Sequence, residues 1–439
     1  MAKIQDRDWR YRYFKLYVDY IFKSSYRRVA FYGKEKIPRD GSVIFAPNHT
    51  NTLMDALAVL AFDKTPKVFA TRADVFKHPT ILKFFTFLKM LPINRKRDGL
   101  SNLAKNEEIN NIAVEVLHDK TPFCILPEGS HRAMNSLMVL QKGIFRIALQ
   151  ANDTFGHVMP VYIVPVGITF GHFFRYRSSI LVQTGEPINV TQFISQHPEL
   201  TAPQQQIRVL REELSERMKK IILHIPDDAN YNATLELSQL FGNEQRQRLG
   251  LTGNSLNNRF IAAKETILNI VALMQINPQD TLELLDCAGE FSRLRHTIGI
   301  GMKSILQSRL LLSLVGKIML LILGFPYFIF SSIVTSPITV LFVRISLKIE
   351  DRAFYNSLRF LIALALLPVL LLLLSAPVAI IFSWVWGLVF ALLFVPSYFF
   401  FYDYLHLTRS IQSDIKWLKN KDLQNKFKKI KHKFNLLLK

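Results

Sequence analysis

His49 and Asp55 stand six positions apart in the run Val-Ile-Phe-Ala-Pro-Asn-His-Thr-Asn-Thr-Leu-Met-Asp that begins at Val43. A carboxylate beside an imidazole fixes its tautomer and raises its basicity, as general-base catalysis requires. On one continuous helix the two side chains would diverge by about 240°, so they meet only if His49 belongs to the turn ahead of the helix. The local sequence permits this. Val43 to Ala46 reads as a short strand, Pro47 pushes Ala46 into an extended conformation, and Asn51 or Thr52 can cap a helix running from Leu53 to Leu60. Taken by itself the stretch reads equally as a surface histidine beside a helix-capping polar cluster.

A second set of polar residues follows the apolar run Phe123 to Leu126, in Pro127-Glu128-Gly129-Ser130-His131-Arg132. A carboxylate, a glycine and an arginine at the carboxyl end of a strand suit a loop that binds hydroxyls and anions, and a polar exit turn is the simpler alternative. Arg95, Lys96 and Arg97 leave an apolar segment together, which fits phosphate or lipid headgroups and equally a solvated basic loop. Lys142 and Arg146 fall on neighbouring turns of a helical stretch from Gln141 to Ala151. His131 adjoins Glu128 and is a further substrate-binding candidate, whereas His78, His118, His157 and His172 are scattered singly and read as structural. Cys124 and Cys287 lack metal-ligand spacing and read as reduced core residues. No metal or bound cofactor is expected.

The elements that must position these groups alternate between short apolar strands and helical segments. Strands are expected at Arg28 to Gly33, Val43 to Ala46, Val68 to Ala70, Phe123 to Leu126, Val161 to Ile168 and Ile180 to Val182. Helical patterns cover Leu53 to Leu60, Phe76 to Leu91 and Asn106 to Leu117. This is the pattern of an α/β domain, assigned to residues 27–200, with a mixed sheet flanked by helices. Ahead of it, in residues 1–26, Trp9, Tyr13, Leu16, Tyr17 and Tyr20 recur at helical spacing among Arg7, Arg10, Arg12, Lys15 and Lys23. That is the make-up of an amphipathic helix lying in a membrane interface, and a helix packed on the domain core is the simpler alternative. Residues 201–308 read as a helical accessory region.

The formal charge of +21 asks for an anionic partner. With no nucleic-acid motif present, membrane lipids answer it better than nucleic acid. Residues 309–407 are almost wholly apolar and read as transmembrane. Leu310 to Val343 would span about 51 Å as one helix, long for a single crossing of about 30 Å. Leu358 to Tyr402 fits two crossings with a break at Ser375-Ala376-Pro377. Arg344, Lys348, Arg352 and Arg359 between the blocks, and the basic tail 408–439 after them, belong in the cytoplasm by the positive-inside rule. The expectation is therefore two hairpins, the first either a full crossing pair or re-entrant, with Pro326 and Pro337 as places to bend. The N-terminus carries no signal-peptide pattern, so the catalytic domain is expected on the cytoplasmic face of the cytoplasmic membrane.

In their order along the chain, the His49 stretch, Ile93-Asn94-Arg95, the loop from Leu126 to Arg132 and Val164-Pro165-Val166-Gly167 resemble the motifs of the phospholipid and glycerol acyltransferase superfamily. The resemblance covers residues 27–190. Five residues separate His49 from Asp55 where the family commonly has four, a spacing similar to that of a branch of the glycerol-3-phosphate acyltransferases. Lys89 and Pro92 replace the second motif's usual glycine and phenylalanine, and the arginine of the third motif is displaced by one, to Arg132.

The resemblance implies an O-acyltransferase of phospholipid synthesis. His49 would be the base and Asp55 its orienting carboxylate. Arg95, Arg132 and Lys142 would hold the acceptor's phosphate, while Glu128 and Gly129 would shape the glycerol site. The acceptor would be glycerol 3-phosphate or lysophosphatidic acid, and the acyl group would arrive as a thioester, acyl-CoA or acyl-ACP. A non-phosphorylated lysolipid or an amino-acid lipid is the alternative acceptor. The alternative of another class is a non-catalytic protein that shapes or binds membranes. Phe84, Phe85 and Phe87 would line the approach of the acyl chain or pack in the core.

Overall fold

The run from Ser42 to Pro47 is buried at every position, because it is the central strand of a sheet covered on both faces. In a computed structural model that describes residues 3–72, 79–93, 103–156, 158–226 and 228–438, eight strands form one mixed sheet. They are β1 (Arg28–Tyr32), β2 (Ser42–Pro47), β3 (Val68–Arg72), β4 (Met90–Ile93), β5 (Phe123–Cys124), β6 (Val161–Phe170), β7 (Ser179–Thr184) and β8 (Ile188–Asn189). Their spatial order is β1-β7-β6-β2-β5-β3-β4, with β8 beside β6. β2 runs parallel to both of its neighbours, β5 and β6. Only the pairings of β6 with β7 and with β8 are antiparallel.

Seven helices belong to the same part of the chain: α1 (Trp9–Ser24), α2 (Leu53–Leu60), α3 (Pro79–Phe87), α4 (Leu103–His118), α5 (Gly143–Phe155), α6 (Val190–Gln196) and α7 (Pro203–Ile221). One core gathers Ile44, Val68, Phe123, Val161 and Ile163 from the sheet, Ala113, Val116 and Leu117 from α4, Ile144, Phe145 and Ala148 from α5, and Leu210, Leu214 and Met218 from α7. Each fully buried aliphatic or aromatic side chain contributes about 1.5–3 kcal/mol. Pro165 sits inside β6 without breaking it. It falls between the stretch paired with β8, Tyr162–Ile163, and the stretch paired with β7, Val166–Phe170, so the N–H it lacks is not demanded there. Gly167 admits the last turn of α7: a Cβ there would come within 2.1 Å of the Ile221 carbonyl oxygen.

Several elements depart from the expectation. The segment before Leu91 is not helical to its end. Lys89, at φ +59°, ends the helical stretch and Met90–Ile93 joins the sheet parallel to β3. β5 is only two residues long, so Ile125 and Leu126 already belong to the loop. On α1, Trp9, Tyr13, Leu16 and Tyr20 form an exposed stripe, but Lys15, expected among the surface cations, is buried and bonds Asp19 and the Asp63 carbonyl. Phe87 packs its ring on Tyr11 and Phe14, while Phe84 is exposed.

The chain divides into two compact units: residues 1–222 with 346–364, and residues 223–345 with 365–439. The second unit holds α8 (Tyr231–Leu240), α9 (Gly242–Arg248), α10 (Leu256–Ile276), α11 (Pro278–Ile298), α12 (Met302–Leu306) and most of α13 (Leu310–Ser346). It also holds the later part of α14 (Phe354–Ile381), then α15 (Trp384–Lys419) and α16 (Lys421–Leu437). Its soluble core is built on Leu237, Leu284, Phe291 and Trp417, with Phe241 stacked on Phe434 at 4.0 Å. Within it, buried Arg295 donates to both carboxylate oxygens of Glu236.

α13, α14 and α15, of 37, 28 and 36 residues, are the helices among the described residues long and apolar enough to cross a membrane. The expected first hairpin is instead the single helix α13, which runs through Pro326 and Pro337. Each proline removes one backbone donor, and no glycine or polar turn follows to complete a reversal. The second block does turn back, but at Phe382–Ser383. The helix continues through Pro377.

Candidate active site

Where β2 ends, the pairing is prolonged by a side chain. Asn48 donates its amide N–H to the Ile168 carbonyl at 3.1 Å and accepts the Ile168 N–H at 2.7 Å. This fixes the residue ahead of His49 against β6 and releases His49 into the turn before α2. Thr52 completes the turn in a backbone conformation that β-branched residues rarely adopt, with φ +47° and ψ −122°. Asp55, in the first turn of α2, then points back into the loop.

One oxygen of Asp55 gathers that turn. Oδ2 lies 2.8 Å from His49 Nδ1 and accepts the backbone N–H groups of Thr50 at 2.8 Å and Asn51 at 2.7 Å. Asp55 is fully buried and the His49 side chain is 16% exposed. Because a carboxylate only accepts, Nδ1 of His49 carries the proton and Nε2 presents a lone pair. The sequence condition is met: His49 lies outside α2, and the pair closes across the turn. Asp55 Oδ1, Thr50 Oγ1 and Asn51 Oδ1 are buried with no hydrogen-bond partner among the described residues. Buried polar atoms are normally paired, so this turn retains capacity for an incoming donor.

The loop after β5 lies against the same turn. Glu128 accepts the His49 backbone N–H on Oε1 at 2.6 Å and the Met138 N–H on Oε2 at 2.9 Å. Both oxygens are therefore engaged in holding the loop, where the sequence suggested a hydroxyl-binding carboxylate. Burial pushes the Glu128 carboxyl up to about 7, against the two backbone donors that favour its charged form. Gly129 adopts φ +69°, and a Cβ there would come within 2.8 Å of Gln141 Cγ, so its part is conformational. Arg132 donates its backbone N–H to the His49 carbonyl at 3.2 Å, which places it directly beside the histidine. Lys142 turns its ammonium to Gln204 at the head of α7, outside the network around His49. Arg95 lies outside the described residues, as do His78 and His157.

His131 and two residues that the sequence did not single out, Asp351 and Phe354, complete the surroundings. The His131 ring meets the His49 ring edge-on at 5.5 Å, and its Nε2 lies 2.8 Å from Asp351 Oδ2, 220 positions away. Phe354 meets the other part of that ring at 5.1 Å. The available signal was slight: a short charged link, then Asn356, Ser357 and Arg359 in the opening turns of an otherwise apolar helix. Among the described residues, no group of three or more His, Cys, Asp and Glu side chains gathers that could hold a metal ion.

A base with a free lone pair, an orienting carboxylate and a loop clamped against both can deprotonate a hydroxyl next to an acyl carbon. Residues 28–169, which contain all of these groups except Asp351, match the Acyltransferase family model. This segment is similar to an acyltransferase domain. Among solved structures, the chain is similar to the crystal structure of the 1-acyl-sn-glycerophosphate (LPA) acyltransferase PlsC from Thermotoga maritima. The identity is 19% and the TM-score 0.35, covering 48% of this chain and 77% of that one. No curated protein matches the chain. The matched segment holds β1 to β5, α2 to α5 and all of β6 but its last residue.

Proposed function

We propose that the chain is an integral-membrane O-acyltransferase that moves a fatty acyl group from a thioester, acyl-CoA or acyl-ACP, to a hydroxyl of glycerol 3-phosphate or lysophosphatidic acid. The observation that carries this reading is the His49–Asp55 pair at the end of the central strand, with Asp55 fully buried and its Oδ2 2.8 Å from His49 Nδ1. The acceptor's hydroxyl gives its proton to Nε2 as its oxygen attacks the thioester carbonyl. The tetrahedral adduct collapses, the carbon–sulfur bond breaks, and the leaving thiolate takes the proton back from His49. An ester and a free thiol result, and no covalent acyl-enzyme is required. Asp55 keeps the imidazole in the one tautomer that leaves Nε2 available, and Glu128 holds the His49 backbone in place.

Acceptor phosphate binding falls to Arg95 and Arg132, with Lys142 further out. The apolar helices α13 to α15 keep the site near the bilayer that receives the product. The head of α14 belongs to the same compact unit as the sheet, and the charge of the basic tail assigns that tail to the cytoplasm. The test uses the full chain in detergent with an acyl thioester and either labelled acceptor. Wild type should form the ester and His49→Ala should not. Equal activity of the two proteins with both acceptors would sink the reading.

A further inference from the structure

The head of α14 is built unlike the remainder of that helix. Ala353, Asn356, Ser357, Phe360 and Ala363 are all at 4% exposure or less. Buried amides and hydroxyls need partners, and these partners surround His49. Ser357 Oγ lies 2.6 Å from Thr52 Oγ1, which also donates to the Ala353 carbonyl at 3.3 Å. Asn356 donates to the Phe173 carbonyl at 2.6 Å, the same oxygen that takes the Asn51 amide at 2.9 Å. Just ahead, Asp351 divides its carboxylate: Oδ1 accepts the Ala353 N–H at 2.8 Å and Oδ2 faces His131 Nε2. Asp351 is 52% exposed, and a half-open pair adds little stability. Its siting one ring away from the base calls for a chemical role.

We infer that Asp351 is a positioning residue for His131, and that the pair holds a hydroxyl of the acyl acceptor beside His49. The inference rests on the acceptor reading given above. Asp351 fixes the proton of His131 on Nε2, which leaves Nδ1 as a lone-pair acceptor. A lone pair next to the base matches an O–H group, which is what the acceptor brings to this place. The two imidazoles are thus held in opposite tautomers, His49 by its Nδ1 and His131 by its Nε2. The acyltransferase domain receives this second acid from outside its own family segment.

Asp351→Asn separates the two tasks of the carboxylate. The asparagine oxygen keeps the cap on Ala353, while its amide N–H faces His131 Nε2 and drives the ring proton to Nδ1. In the full-length protein, with whichever acceptor turns over, the acceptor KM should rise about tenfold, the loss of one hydrogen bond. The kcat and the thioester KM should each change by less than about threefold, with an unaltered melting temperature. On a His131→Ala background the same substitution should change nothing further. A wild-type acceptor KM in Asp351→Asn, or an equal effect with and without His131, overturns the inference. If the wild type turns over neither acceptor, the acceptor reading fails, and the contact is decided separately. His131→Cys with Asp351→Cys, in a Cys287→Ser background in native membranes, should be joined by a short bis-methanethiosulfonate linker. Failure of that linkage also overturns the inference.

Discussion

Two acid–imidazole pairs stand side by side in this protein, and they are made in opposite ways. His49 and Asp55 are six residues apart, and Asp55 is fully buried with three donors on a single oxygen. His131 and Asp351 are 220 residues apart, and Asp351 is half open to solvent and engaged on both oxygens. The first pair is inseparable from the turn that contains it, since the same oxygen shapes the backbone and orients the ring. The second is assembled from two distant segments and can be altered without disturbing either. Glu128 ties them together: it clamps the His49 backbone from a loop in which His131 follows three residues later. The lesson is one of division. A carboxylate that gathers a buried turn together with a ring is expected to be costly to change in every respect, whereas Asp351, which caps Ala353 and faces one ring near the surface, is expected to act through acceptor affinity.

The largest expected break comes at the first pair. His49→Ala should lower kcat by about 10³–10⁴-fold, read as initial ester formation in detergent. His131→Ala falling equally far would show that the two pairs share the role of base. Asp55→Ala should lower kcat by at least about 10²-fold and cost about 2–5 kcal/mol of stability, because it leaves the Thr50 and Asn51 N–H groups without their acceptor. A melting temperature equal to wild type would separate folding from catalysis at this position, against the present comparison.

Glu128 gives a pH-dependent effect. Its folded-state value, about 7, stands above its ordinary value of 4.5. The stabilising contribution of the protonated side chain is therefore full below about 4.5 and lost as pH rises through about 7. Glutamine does not titrate, so the stability of Glu128→Gln relative to wild type should increase between pH 5 and 8, by up to about 3 kcal/mol. Parallel thermal melts across that range check it, and a constant difference would refute it. At the second pair, Asp351→Asn should act on acceptor KM alone, about tenfold. The smallest effect is expected at Thr52→Gly. Glycine relieves the left-handed backbone, about 1 kcal/mol, and removes the hydroxyl bonded to Ser357, about the same in the opposite sense. A shift in melting temperature worth more than about 1 kcal/mol would show which term dominates.

Much of the α/β unit is legible because its signals are local. Pro47 and the Leu53–Leu60 periodicity place His49 in a turn, and α2 forms over that range, but neither Asn51 nor Thr52 caps it with its side chain: the Asn51 amide goes to the Phe173 carbonyl and the Thr52 hydroxyl to Ser357. β2 and β6 follow from their apolar runs, even across Pro165. Less legible was Glu128, whose charge suggested a ligand contact and whose oxygens went to the backbone of His49 and Met138. That choice depends on the loop after β5 folding beneath the turn after β2, and no residue spacing encodes it. The long apolar blocks showed that membrane-length helices exist, but not where they reverse: proline is a weak stop in a helix whose surroundings offer no competing hydrogen-bond partners.

The sequence by itself singled out His49 and Asp55, set them across one turn and marked most of the strands and helices around them, because six residues of turn chemistry and the alternation of apolar segments are short-range properties. Only the tertiary structure decided that Asp351, Phe354 and Ser357 belong to the same site. They reach it through the packing of the head of α14 on the loops around His49, and contacts between residues hundreds of positions apart are set by which buried polar groups find partners, not by any pattern along the chain.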